Sequence, residues 1–495
     1  MQRIFLLMLM SGPLLASAQK ADITVTVAGG AGEQVIVVPP QQGEYFSGGA
    51  IQPMLDSNGV LVLPNREKVP GIYHFVFKGT GLYKLYVKPG KRYSLSLERA
   101  SADAPFAVTG PDAEAQQLFN RSMKEFYQET GMRWYKEDTV FAHNKQRALA
   151  RRDSVLQLFR NLHAAGKMDN GFFEAAQKVN NAYHASILGA TMIMPIFNVV
   201  YKKDLPGYSA ARLQEMNANW QELPAISDVH DRSQAVSMEF YDYVNNLWAT
   251  MYQRGLVIRM KDSITPKPTR EEAELYHKDL IAAHFKGPMR EYVLASWLGD
   301  QIAGEKFYAF IPGEYAAFSN SYPKSKFNAL LAKGAKEVKE YRKSVAAGFS
   351  AAHRFVKEPE KLSTVRELAA AFRGKTLYVD LWATWCSPCK AAFAYNKPLH
   401  ELLRKNGMEA LYISIDRNAD AKKWEEMIMY YDLKGYHIRA TGALNKDITG
   451  VFGKAGTLSI PRYAIFKDGE VILDAKPPGR LRELEAQLKE MAAAK

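Results

Sequence analysis

Cysteine is almost missing from this chain. Its 495 residues contain two, Cys386 and Cys389, so a framework of several bridges like those that staple small exported domains is excluded. Two thiols also supply a zinc site poorly, since a structural zinc takes four ligands, and no metal is expected. Long apolar runs are equally scarce. Beyond Ala18 no stretch approaches the roughly 20 residues that cross a bilayer as a helix. Lys and Arg number 65 against 52 Asp and Glu, a net charge of +13. The basic residues are scattered, with no block of them interleaved with aromatics and no nucleic-acid motif. The surplus therefore reads as solvated faces that adhere weakly to anionic surfaces, and no nucleic-acid partner is expected. A repeat of about 34 residues or a similar period, the mark of a solenoid, is absent too.

What is present begins with MQRIFLLMLMSGPLLASA. One basic residue, Arg3, precedes an apolar run from Ile4 to Met10 and an Ala16-Ser17-Ala18 site, the three parts of a secretory signal peptide. Residues 1–18 are expected to be removed before Gln19. No cysteine lies near that cut, so the protein is expected not to be a lipoprotein. The expectation is a soluble, exported protein of the periplasm or cell envelope of a Gram-negative-type bacterium.

Three textures follow. Residues 19–110 alternate with period two, as in Ile23, Val25 and Val27 or Tyr73, Phe75 and Phe77. Gly-Gly, Pro-Pro, Ser-Asn-Gly and Lys-Pro-Gly-Lys punctuate them, so short strands in an all-β sandwich are predicted. Residues 111–357 are helical and rich in tyrosine. Phe240, Val244, Leu247 and Met251 share one helix face, and pairs such as Gly287-Pro288 and Pro312-Gly313 break the region into several helices. His277 and His284 lie two turns apart, about 10 Å, and read as structural. Residues 358–495 read differently. A buried-strand run, GKTLYVDLWA (374–383), leads into a helix from Ser387 and a second strand, MEALYISID (408–416). The amphipathic ADAKKWEEMIMYY (419–431) follows. Next come a hairpin turning at Asp468-Gly469 and a last helix at 480–488. Strand–helix–strand, helix, hairpin, helix is the thioredoxin order, with a C-x-x-C at its first strand-to-helix turn.

VDLWATWCSPCK (379–390), Ile460-Pro461 before a strand and the Lys467-Asp468-Gly469 turn resemble the active-site elements of the thioredoxin superfamily. WATWCSPC and the multi-domain exported layout are most similar to the TlpA-like thiol–disulfide oxidoreductases. The resemblance covers about 363–495. It departs from the family at LSTVRELAAAF (362–372), which looks helical where such domains carry a first β-hairpin. The implied fold class is multi-domain: an N-terminal all-β sandwich, a central α-helical domain and a C-terminal α/β thioredoxin fold.

The resemblance makes Cys386 and Cys389 a redox-active pair. Taken alone they could be a structural bridge, but a loop of four residues is worth only about 2 kcal/mol. A peroxidatic cysteine would want a threonine where Ala383 stands. Cys386 is expected to be exposed at a helix N-terminus, where free amides favour its thiolate. It attacks the substrate, and the more buried Cys389 resolves the mixed disulfide. Asp380, between Val379 and Leu381, matches the family's buried acid; desolvation raises its pKa, so it exchanges a proton with Cys389. Trp385 forms an apolar rim, whereas Trp382 belongs to the core. Pro461 is expected to be cis and to face the cysteines, leaving the Ile460 backbone to pair with a substrate strand. Ser387, Pro388 and Lys390 support the pair, and Ser387-Pro388 places neither histidine nor cation between the sulfurs. No cofactor is implied. The expected partners are disulfide-containing protein substrates and a membrane electron donor; the oligomeric state is open. A second reading makes the protein an envelope binder or scaffold whose first 350 residues hold a ligand or partner.

Overall fold

Period-two alternation from Asp22 onward does produce strands. The computed structural model of the chain describes residues 22–77, 81–98, 106–201, 215, 218–252, 269–453 and 457–493; the signal-like residues 1–18 lie outside them. The chain divides into two compact units, Met1–Lys336 and Glu337–Lys495.

In the first unit, β1 (Asp22–Ala28), β3 (Val60–Pro64), β6 (Tyr93–Glu98) and β7 (Phe106–Thr109) form one sheet in the order β3-β1-β6-β7. β2 (Val35–Val38), β4 (Gly71–Phe77) and β5 (Gly81–Val87) form another, ordered β2-β4-β5. β1 runs parallel to β6 and antiparallel to β3. Ile23, Val25, Val27, Val37, Phe75, Leu85 and Leu95 come from both sheets and share one apolar cluster. Alternation elsewhere marks an inner and a wet face, but β4 is buried on both sides. Its second face lies against the helical residues of the same unit. His74 accepts the Met238 N–H through Nε2 at 3.2 Å. Lys84 forms a buried ion pair with Glu239, and Gln116 and Asn120 hydrogen-bond the backbone of Tyr86 and Lys84. Phe240, Val244 and Leu247 are buried across a helix, Met238–Tyr241, that continues as wider π-type turns over Asp242–Tyr252. The Met251 side chain lies outside the description.

The second unit is built on six strands: β8 (His353–Phe355), β9 (Thr376–Trp382), β10 (Glu409–Ser414), β11 (Gly435–Arg439), β12 (Arg462–Lys467) and β13 (Glu470–Leu473). Their order is β13-β12-β9-β10-β11-β8. β9, β10, β11 and β8 are parallel, and β12 and β13 return antiparallel. The β12–β13 connection needs positive φ at both central residues, the twist-matched two-residue hairpin, and Asp468 (φ 55°) and Gly469 (φ 88°) supply it. The stretch at 362–372 is helical, Val365–Ala370, started by a capping box between Thr364 and Glu367. β8 lies just upstream of residue 358.

Side chains of successive strand residues point to opposite faces, and here the two faces differ in chemistry. Leu377, Val379 and Leu381 join Leu411, Ile413 and Ile438 in a mainly aliphatic layer under the helices Val365–Ala370 and Gly442–Phe452. Tyr378, Asp380 and Trp382 point the other way, alongside Tyr412, Ser414 and His437 in register. Phe393 and the helix Asn396–Lys405 cover that side. The Phe393 ring meets Trp382 edge-on at 5.3 Å, and His400 Nε2 hydrogen-bonds the Tyr412 hydroxyl at 2.9 Å.

Candidate active site

The aromatic face of the sheet runs directly into the two cysteines. β9 ends at Trp382, and a tight turn closed by the Cys386 N–H on the Ala383 carbonyl (3.0 Å) leads into the helix Ser387–Ala392. Cys386 is the residue capping that helix. Its Sγ accepts the Cys389 N–H at 3.2 Å, one of the amides that a helix start leaves without an internal partner. Pro388 sits in the first turn, where its missing N–H costs nothing. Cys386 and Cys389 are joined as a disulfide, with Cα atoms 5.3 Å apart.

One expectation needs correction. Cys386 is buried, at 4% exposure, against 1% for Cys389. Bridged to Cys389 and turned onto the helix amide, its sulfur is covered rather than presented. Exposure falls instead on Trp385, at 61%, while Trp382 is fully buried as core. Pro388 is exposed, and Ser387 and Lys390 are half-buried.

Asp380 is buried, and neither carboxyl oxygen has a hydrogen-bond partner. Burial alone pushes its pKa up to about 8. Two of the nearby hydroxyls are engaged elsewhere. Register places Tyr412 on one side and Tyr463 on the other, but the Tyr412 hydroxyl is held by His400 and that of Tyr378 by the Lys476 carbonyl at 2.9 Å. The phenols of Tyr378, Tyr412 and Tyr463 are all held above their ordinary range, first by burial and then by the Asp380 charge.

The Ile460–Pro461 peptide is cis. β12 begins at Arg462, paired with Leu381, so Pro461 stands at the end of the sheet where β9 leads to the cysteines. The Ile460 side chain packs on the aliphatic layer.

Sequence reasoning missed the residues that hold the cysteine turn. Asp416, buried just past β10, accepts the Thr384 N–H at 3.1 and 2.9 Å, the Thr384 hydroxyl at 2.8 Å and the Ser414 hydroxyl at 2.8 Å. A signal existed. Ser414 pairs with Trp382, so carrying the parallel register two residues further sets Asp416 opposite Thr384.

Residues 351–490 match the Redoxin family model. The chain is 30% identical over 122 residues to thiol-disulfide oxidoreductase ResA of Bacillus thuringiensis subsp. konkukian, an alignment spanning 24% of this chain and 65% of that protein. It is 40% identical over 43 residues to ResA of Oceanobacillus iheyensis, 9% of this chain and 22% of that protein. The chain thus spans less than two thirds of these curated relatives. Among solved structures, the thioredoxin domain of a thiol-disulfide oxidoreductase from Bacteroides vulgatus aligns at 19% identity and TM-score 0.20, covering 24% of this chain and 81% of that one. A thioredoxin-like protein from Bacteroides caccae aligns at 11% identity and TM-score 0.19, over 50% of this chain and 92% of that one. Strand order, the cysteine turn and the family match converge: residues 351–490 carry a Redoxin-type module of thioredoxin-like fold, similar to the ResA thiol–disulfide oxidoreductases.

Proposed function

We propose that this protein is an exported thiol–disulfide oxidoreductase that reduces disulfides of protein substrates through Cys386 and Cys389. The observation that carries the reading is the bridged pair at the start of a helix, just after the strand that holds a buried acid whose pKa is pushed up to about 8. A general acid or base works best when its pKa is close to the working pH.

The reaction starts from the dithiol. The Cys386 thiolate attacks one sulfur of a substrate disulfide, a mixed disulfide forms, and the first substrate thiolate leaves. In the fraction of molecules whose Asp380 is ionised, Cys389 then passes its proton to that carboxylate and attacks Cys386 Sγ. That step closes the Cys386–Cys389 bond and releases the second substrate thiolate. Two electrons have moved from the pair to the substrate, and the disulfide is the oxidised product. A dithiol donor, in this reading a membrane electron-transfer protein, must return them. Trp385 lends an exposed apolar rim to the bound chain. The Ile460 backbone, before cis Pro461, pairs with it as an added strand. Ser387, Pro388 and Lys390 shape the first helical turn. We read the two N-terminal sheets with their shared core as a β-sandwich spanning 19–110. The helical part runs over 111–357 and the thioredoxin-like part over 358–495, behind a cleaved segment 1–18.

The test is reduction of insulin together with trapping. Wild-type protein supplied with a dithiol should turn over insulin disulfides, and Cys386→Ser should abolish it. Cys389→Ser should accumulate a mixed disulfide through Cys386, identifiable by mass spectrometry of the adduct. If Cys386→Ser traps partners and Cys389→Ser does not, the attacking and resolving roles are reversed.

A further inference from the structure

Asp416 gathers more donors than a surface carboxylate would, although it is only 1% exposed. Besides the Thr384 amide and hydroxyl and the Ser414 hydroxyl, its own N–H donates to Ser414 Oγ at 3.0 Å. Thr384 and Ser414 are themselves 2% and 0% exposed. A buried amide left without an acceptor costs roughly 1–3 kcal/mol, so the Thr384 N–H needs this carboxylate. Thr384 is also the second residue of the four-residue turn from Ala383 to Cys386. That turn ends β9, exposes Trp385 and sets Cys386 at the helix start. Asp380, two strand positions before Trp382, is met by no donor at all. The two buried acids therefore have different work, and the exchange mechanism uses only Asp380.

We propose that Asp416 is a positioning residue for the cysteine pair: it fixes the Ala383–Cys386 turn through Thr384, and its charge beside that turn opposes the Cys386 thiolate and so favours the disulfide. Its functional meaning rests on the exchange activity proposed above. Its physical content does not, because the equilibrium of the pair can be measured without any protein substrate.

The experiment equilibrates the full chain in glutathione buffers at pH 7. Two glutathione thiols reduce the protein disulfide to the dithiol and leave as glutathione disulfide, so two electrons and two protons pass to the cysteines. Asp416→Asn keeps one oxygen for the Thr384 amide and removes the charge. A nearby charge commonly moves an ionisation by about one unit, so the equilibrium should move toward the dithiol by more than about twofold and at most about tenfold, the upper limit being about 30 mV. Asp416→Ala should shift it at least as far and also lower the melting temperature. Thr384→Val removes only the hydroxyl donor, leaves the charge less compensated, and should move the equilibrium the opposite way, about threefold. It serves as the test should Asp416→Asn not fold. A merely structural Asp416 gives lower melting temperatures with every equilibrium constant within about twofold of wild type, and that result overturns the proposal. Absence of insulin turnover in the wild type, with these shifts intact, would strike the functional reading and leave the positioning role standing.

Discussion

Asp380 and Asp416 stand near each other in sequence register yet are treated in opposite ways, one without a donor and one with several. For Asp380 the consequence can be read in stability. Its pKa rises from an ordinary 3.8 to about 8, so between those values the folded chain holds a proton that the unfolded chain releases. Stability therefore falls as pH climbs through that window; the penalty is absent below about pH 4 and complete above about pH 8. At about 1.4 kcal/mol per unit the gap bounds it at about 6 kcal/mol. Asp380→Asn cannot titrate. The oxidised variant should gain on wild type by about 2 kcal/mol or more in urea unfolding at pH 8, compared with its difference at pH 4.5. An equal difference at both pH values would remove Asp380 as a titrating group. Its burial was legible in sequence, since it lies between Val379 and Leu381 in an apolar run that marks a strand buried on both faces. The covered Cys386 was not, because a C-x-x-C spacing carries no information about where the first sulfur is turned. Thr384 and Asp416 look like ordinary turn residues until the register of β9 and β10 sets them side by side.

At the level of elements, long periodic segments were readable and short or doubly buried ones were not. GKTLYVDLWA, MEALYISID and the Asp468-Gly469 hairpin lie where pattern and turn chemistry put them, as β9, β10 and the β12–β13 pair. β11 and β8 escaped notice, being too short for alternation to stand out. β4 and β5 show a burial that alternation does not convey. Helices of the same unit cover His74 and Lys84, and Glu239 pairs the lysine. β8 matters for any fragment of the C-terminal part. Gly435, Tyr436 and His437 of β11 pair with His353, Arg354 and Phe355. The Gly435 N–H donates to the Ala352 carbonyl and the Val356 N–H to the His437 carbonyl, each at 2.9 Å. A fragment beginning at Lys361 loses this edge, uncovers His437 and leaves several backbone groups to water. At about 1 kcal/mol net per hydrogen bond, residues 361–495 should be less stable than 337–495 by about 3 kcal/mol in denaturant titration. Equal midpoints would mean that β8 contributes nothing to the sheet.

Over the whole molecule, the strand-rich texture and the helical one as far as Lys336 fall within one unit, Met1–Lys336, where charged and histidine side chains of the strands are buried against helical residues. The thioredoxin-like part stands in the other unit with its two cysteines, the only ones in the chain. The proposed direction of electron flow rests on what surrounds them. Ser387-Pro388 offers no cation or imidazole between the sulfurs, and Asp416 places a carboxylate against the turn before them. A pair so arranged gains little stabilisation of the Cys386 thiolate beyond the helix start, which favours a reductant. A strong oxidant near −120 mV differs from thioredoxin near −270 mV by about 150 mV, or about 7 kcal/mol for two electrons. The most direct test is the midpoint potential of the full chain in glutathione buffers. The account predicts a reversible two-electron couple well below about −180 mV, the disulfide-isomerase value, closer to thioredoxin than to the oxidant. A midpoint above about −180 mV, or a bridge that exchanges with no thiol, would contradict it.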